Sequence, residues 1–134
     1  MLKFNLLIVI LLFSFNTFAQ SFTPSDLIGS WKAENKGISG TITFKNDGQV
    51  IGEYQDNTLF FTYSIDTSNH QYIIQFHSND KDSLNTAFMK IEKTNQDEIN
   101  MTFTKVKIFN DSTRTWKNDM SHIGMVIYLK RKNN

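Results

Sequence analysis

Residues 26–50 read "DLIGSWKAENKGISGTITFKNDGQV", and the way this stretch pairs with itself decides the fold. Thr41-Ile42-Thr43-Phe44-Lys45 alternates polar and apolar side chains, so Ile42 and Phe44 share one face of a strand. Asn46-Asp47-Gly48 supplies residues that tolerate positive φ and predicts a tight hairpin turn. Val50 to Tyr54 is the expected return strand, with Gly52 read as a bulge or bend. Upstream, Thr23-Pro24-Ser25-Asp26-Leu27-Ile28-Gly29 carries an N-cap candidate, a proline at the first helical position and a terminating glycine. It predicts one helical turn whose Leu27 and Ile28 plug an end of the fold before a first strand over Trp31 to Asn35.

Working outward, period-two alternation recurs and helical spacing does not. Leu59, Phe61, Tyr63 and Ile65 share a face within Thr58 to Ile65, as do Tyr72, Ile74 and Phe76 within Gln71 to His77. Ala87, Met89 and Ile91 align in Asn85 to Glu92. Met101 and Phe103 align in a strand from Ile99 that is expected to run on to about Ile108. The last strand, Ile123 to Arg131, turns Ile123, Met125, Ile127 and Leu129 inward. Polar clusters separate these runs, and every link is short except Phe109 to Ser121, read as a long polar loop. Eight sequential antiparallel strands predict an all-β, up-and-down barrel, whose closure removes exposed sheet edges. A two-sheet β-sandwich is the alternative.

The first residues stand apart. Lys3 precedes the apolar run Leu6 to Phe13, and Thr17-Phe18-Ala19 puts small residues where a leader peptidase cuts. Residues 1–19 are therefore expected to be a removable signal peptide, the run being shorter than the roughly 20 residues that span a bilayer. Residues 20–134 are expected to form one domain, soluble in the periplasm or outside the cell. With no cysteine in the chain, no thiol is present for a lipid anchor or a disulfide. The chain has 14 basic and 13 acidic residues with Lys3 in the leader, so the mature part is formally neutral. That balance argues against nucleic acid or an anionic membrane as partner, since each calls for a basic surplus.

A short helical turn, Gly29-Ser30-Trp31 leading into the first strand and an eight-strand meander together resemble the lipocalins and their smaller bacterial lipocalin-like relatives. In that family a basic residue near the end of the last strand packs across the tryptophan. The resemblance assigns this part to Arg131 and makes Gly29, Trp31 and Arg131 a structural closure. It also implies binding of a small apolar or amphipathic ligand without chemistry. The chain departs from the family in being shorter, in lacking a disulfide and in having no long helix after the last strand.

The candidate lining of the barrel is Phe44, Tyr54, Phe61, Tyr63, Tyr72, Phe76, Met89, Met101, Phe103 and Met125. These side chains either line an apolar pocket or fill an interior that eight strands leave only just wide enough. Trp116, flanked by Arg114 and Lys117, is read as a partner anchor, a lid over the barrel mouth or an inward staple of its loop. An inhibitor-like barrel that binds a protein through such a loop is thus the second functional reading. His70, His77 and His122 lack metal-ligand spacing and are read as surface histidines. Asn79, Asp80 and Asp82 begin like a calcium loop, but Leu84 breaks the series and no glycine or closing glutamate follows. No nucleophile motif is present either, so neither catalysis nor a cofactor is expected.

Overall fold

In the computed structural model, the described residues are 22–68, 72–78 and 85–133. The leader-like run, His70 and the Asn79–Ser83 turn lie outside them. A 3-10 turn at Pro24–Leu27 precedes nine strands: β1 Gly29–Asn35, β2 Ile38–Phe44, β3 Gln49–Tyr54, β4 Asn57–Asp66, β5 Tyr72–Ser78, β6 Asn85–Asn95, β7 Glu98–Asn110, β8 Thr115–Asn118 and β9 Val126–Arg131. Consecutive strands from β1 to β7 pair antiparallel, and β9 lies between β7 and β1. The ring β1 to β7 plus β9 is thus a closed eight-stranded antiparallel barrel, and no β-sandwich forms. β8 stands outside the ring and pairs only with the end of β7.

Turn chemistry sets the register. Lys36 (φ 47°) and Gly37 (φ 80°) both take positive φ between the paired residues Asn35 and Ile38, the conformation that matches the twist of a tight hairpin. At the predicted Asn46-Asp47-Gly48 turn, Gly48 has φ 84° and the Asp47 carboxylate accepts from the Gln49 amide. The hairpin ends fall into two sets. β1–β2, β3–β4, β5–β6 and β7–β8 turn at one end of the barrel. β2–β3, β4–β5 and β6–β7 turn at the other, where the 3-10 turn and Arg131 also lie.

That second end is sealed. Trp31 is fully buried and donates its indole N–H to the Leu27 carbonyl at 2.7 Å, which fixes the 3-10 turn as a plug beneath the barrel. The Arg131 guanidinium lies 4.2 Å from the centre of the Trp31 ring. It donates to the main-chain carbonyls of Asp26 (2.7 Å) and Ile28 (3.2 Å), so one cation holds the ring and the plug together. Such a contact is worth about 0.5–2 kcal/mol before its hydrogen bonds are counted. Gly29 has φ 122°, and a Cβ there would sit 3.3 Å from the Arg131 Nη1, so backbone and space both select glycine. Phe22, Leu27, Phe44, Ile74, Ile91, Ile99 and Leu129 complete this buried half.

Several expectations need correction. Gly52 is no bulge: its neighbours keep an unbroken register with both β2 and β4. The irregularities lie between β6 and β7: Phe103 pairs with Met89 but Lys105 with Phe88, leaving Thr104 extra in β7, and Lys93 pairs with Ile99 but Asn95 with Glu98, leaving Thr94 extra in β6. The segment 109–121 is not all loop, because β8 pairs Trp116 with Phe109 and Lys117 with Ile108. Asn110 promotes that hairpin by accepting hydrogen bonds from the Ser112 and Thr113 amides. β9 begins at Val126 rather than Ile123, since Gly124 (φ 82°) turns the chain first and leaves Ile123 at 40% exposure. Ile28 is also partly exposed, so Leu27 alone is the buried plug residue.

Replacing Gly29 by alanine forces a disfavoured backbone angle against Arg131, and it is expected to cost about 1–3 kcal/mol in urea unfolding. A second expectation concerns acid. The Asp26 carboxyl is held below its ordinary value by the Thr23 amide hydrogen bond (2.8 Å), with Lys93 at 3.4 Å adding to it. A depressed folded value contributes stability above the unfolded carboxyl pKa, and that stability is lost as pH falls through the folded one. Asp26→Asn should therefore lower stability at neutral pH and flatten its decline on the acid side, as followed by urea titrations across pH.

Candidate functional site

Along the inward phase of each strand, side-chain size falls from the sealed end to the open end. On β1 the inward order is Trp31, Ala33, Asn35. On β2 it is Phe44, Ile42, Gly40, and on β3 Val50 is followed by Gly52. On β6, Ile91 and Met89 lead to Ala87. Ala33, Gly40, Gly52 and Ala87 thus put almost no volume at the level just above the bulky half. The consequence is an internal cavity of about 400 Å³ that all four border. Its walls are Ile42, Val50, Leu59, Phe61, Phe76, Met89, Met101, Phe103 and Ile127, and its mouth lies at the end opposite Trp31.

Of the candidate lining, Phe61, Phe76, Met89, Met101 and Phe103 border this cavity, and Tyr54 stands at its rim. The other four lie elsewhere. Phe44 is fully buried beneath the cavity, with its ring edge-on to Tyr63 at 5.3 Å. The Tyr63 hydroxyl donates to the Lys45 carbonyl at 2.7 Å, and burial raises its pKa, with Asp47 adding to the effect. Tyr72 packs edge-on against Phe22 at 4.9 Å in the sealed half. Met125 follows the Gly124 turn, and its carbonyl accepts from the Phe103 amide, so its backbone extends the sheet while its side chain is not part of the wall. The tyrosines read as polar groups inside the barrel therefore act there only through Tyr54.

Chemically the cavity is plain. No buried side-chain nitrogen or oxygen among the described residues lacks a hydrogen-bond partner, so no orphaned polar group points into it. Asn35 and Tyr54 are the inward-phase polar side chains that border the cavity, and the Tyr54 hydroxyl accepts from Gln55 Nε2 at 3.2 Å. Glu34, Thr41 and Glu53 border the cavity from positions that alternate outward. Glu34 there pairs with Lys32 at 2.9 Å, and that hydrogen bond lowers its pKa. Part of the rim is covered by the turn after β8, whose His122 ring lies 5.9 Å from the Phe103 ring.

Trp116 is 51% exposed on the hairpin that projects beyond the rim, and its ring lies 5.2 Å from Phe109. It is neither folded into the barrel nor among the residues that border the cavity. Arg114 sits in the turn of that hairpin with φ 54°. His77 is exposed on the outer face, bonded to Gln75 (2.8 Å) and to the buried hydroxyl of Thr86 (2.9 Å). Among the described residues no three His, Asp or Glu side chains gather as a metal site, and no helix is long and apolar enough to cross a membrane. The small inward residues Ala33, Gly40, Gly52 and Ala87 are cavity-forming positions that a search for large side chains passes over. Their signal was in the sequence, as small residues on the apolar phase.

The fold is similar to that of Treponema pallidum Tp0751 (pallilysin), with a TM-score of 0.60 at 13% identity over 97% of each chain. At that identity the likeness is one of fold alone. No family model matches the sequence, and no curated protein does.

Two glycines bordering the cavity should respond oppositely to alanine. At Gly52 a Cβ would meet Phe61 and Leu59 at 3.8 and 3.9 Å, ordinary contacts, so Gly52→Ala should stabilise by about 0.4–1 kcal/mol. At Gly40 it would lie 2.6 Å from the Glu53 carbonyl oxygen, a backbone atom of the next strand. Gly40→Ala should therefore destabilise by about 1–3 kcal/mol, and urea unfolding of both variants checks the pair.

Proposed function

We propose that the chain is an exported lipocalin-like barrel that holds one small apolar or amphipathic molecule and performs no chemistry on it. The observation that carries this reading is the apolar cavity of about 400 Å³, open at one end and sealed at the other. That volume falls within the roughly 300–1,000 Å³ of small-molecule pockets. Its walls combine aromatic rings with two methionines, whose flexible thioethers adapt to the shape of an apolar occupant. The lipocalin-like assignment is supported by the Gly29-Ser30-Trp31 motif with Arg131 across the indole. Export rests on the leader-like pattern of residues 1–19.

The test fills the cavity from its own wall. Gly52→Leu together with Ala87→Leu places branched side chains in the void and leaves the sealed end alone. The double variant should fold with the wild-type circular dichroism spectrum. It should bind the uncharged probe N-phenyl-1-naphthylamine more weakly by about tenfold or more, equivalent to ~1.4 kcal/mol. Equal binding by wild type and variant overturns the reading. Native mass spectrometry of the protein taken from its own periplasm or medium should also carry a small molecule that the variant lacks.

Trp116 favours a second reading, a protein-binding module. A half-exposed tryptophan tilted against Phe109 on a projecting hairpin, beside Arg114 and Lys117, has the composition of interface hot spots. Under it, Trp116→Ala should weaken capture of one specific protein by about tenfold or more, for a typical hot-spot loss of ~2 kcal/mol, while probe binding stays unchanged.

A further inference from the structure

We propose that the cavity selects single-chain amphiphiles with an uncharged head group, such as fatty alcohols or monoacylglycerols, over fatty acids and alkylamines. The inference rests on the cavity reading above and adds to it the chemistry of the ligand's polar end.

It follows from where the charges are. Inward-phase charged side chains among the described strand residues lie at the sealed end: Arg131 is committed to Trp31 and the plug, and Lys93 to Asp26. In the open half the inward phase carries none. The charged residues bordering the cavity, Glu34 and Glu53, alternate outward, and Glu53 presents its main-chain carbonyl toward Gly40. Below the rim, a carboxylate would shed water without meeting an inward cation of the described residues, and an ammonium would meet no inward carboxylate among them. Leaving an ion desolvated and unpaired costs far more than leaving a neutral hydroxyl so.

The mouth does offer neutral hydrogen-bonding groups. The Asn35 carboxamide and the Tyr54 hydroxyl stand on adjacent hairpins at the rim, above walls whose inward side chains are apolar. Among the described residues none hydrogen-bonds the Asn35 side chain, which leaves its donor and acceptor for a ligand. A hydroxyl or ester head can bond there while its chain lies against Phe61, Phe76 and Met101. Deeper in, no unpaired polar atom would compete for it.

Displacement of N-phenyl-1-naphthylamine from the full domain tests this, with 1-dodecanol, monolauroylglycerol, dodecanoate and dodecylamine as competitors at pH 7.5. The expected result is that the two uncharged amphiphiles compete at concentrations about tenfold or more below the two ions, in line with an unpaired-ion penalty above ~1.4 kcal/mol. Dodecanoate should gain affinity as pH falls and its carboxyl protonates. Asn35→Lys, which replaces the carboxamide by a cation at the rim, should tighten dodecanoate and weaken 1-dodecanol, narrowing or reversing the preference. Wild-type protein that takes dodecanoate or dodecylamine as tightly as 1-dodecanol overturns the head-group inference while leaving the cavity reading intact. Failure of the probe and of every amphiphile to bind overturns both.

Discussion

The structure depends on β9 being held on both sides. This last strand pairs with β1 on one flank and β7 on the other, and without it the first seven strands would be an open sheet with two free edges. Its position is keyed by the stack of Arg131 on Trp31. The register that pairs Trp31 with Arg131 also pairs Ala33 with Leu129. Because side chains alternate with period two, a slip of one residue would turn Leu129 and Ile127 outward and bring Tyr128 and Lys130 inside. The cation over the indole, bonded at the same time to the carbonyls of the plug, makes such a slip expensive at one end of the strand. The 3-10 turn, the first strand and the last strand thus close together, across more than a hundred residues of sequence.

Concentrating closure at one end frees the other to be hollow. Nearly all of the fully buried large side chains cluster in the half nearest the plug, with Trp31, Leu27, Phe44, Ile74 and Ile99 at its centre. Above them the strands continue with main-chain pairing intact but with alanine and glycine on the inward phase. The ladder supplies backbone satisfaction along the whole barrel, while side-chain packing is confined to part of it. This division explains how a chain with no disulfide can stay closed around an interior that is not filled.

Much of the fold could be read directly from alternation. Ile42 and Phe44, Phe61 and Tyr63, Met101 and Phe103 all announced their faces, and Gly48 announced its turn. What could not be read had specific causes. Gly52 was ambiguous because glycine marks either a backbone need or a lack of volume, and only the partners in β2 and β4 show that it is the second. The extra residue Thr104 left a weak trace, two successive polar residues between Phe103 and Val106, which a strand ending at that point would produce equally well. Candidate lining residues were chosen for phase and size, and phase does not tell height along the barrel axis. Phe44, Tyr63 and Tyr72 have the same inward phase as Phe61 and Phe76, yet they sit at the sealed level. Height comes from register, which depends on long-range pairing.

The irregularity at Thr104 also separates two surfaces that sequence runs together. Up to Phe103, β7 belongs to the barrel wall. Beyond the extra residue its inward phase resumes with Val106 and Ile108, and at Ile108, 40% exposed, the strand reaches the rim, pairing with Asn85 of β6 on one side and Lys117 of β8 on the other. Phe109 and Trp116 therefore occupy the outer face of a hairpin anchored by the barrel but not packed within it. A ligand in the cavity would touch Phe103, and a macromolecule on the hairpin would touch Trp116 and its neighbour Phe109, so β7 reaches both surfaces. The turn that follows β8 returns the chain over Phe103 through His122 before β9 begins. Occupancy of the cavity and the seating of the hairpin are mechanically adjacent for that reason. An occupant that packs against Phe103 supplies the dispersion contacts an empty wall lacks, and it stabilises the folded state by mass action. Its effect should be felt first around Phe103, which borders the cavity, and last at Trp31, where the barrel is already closed.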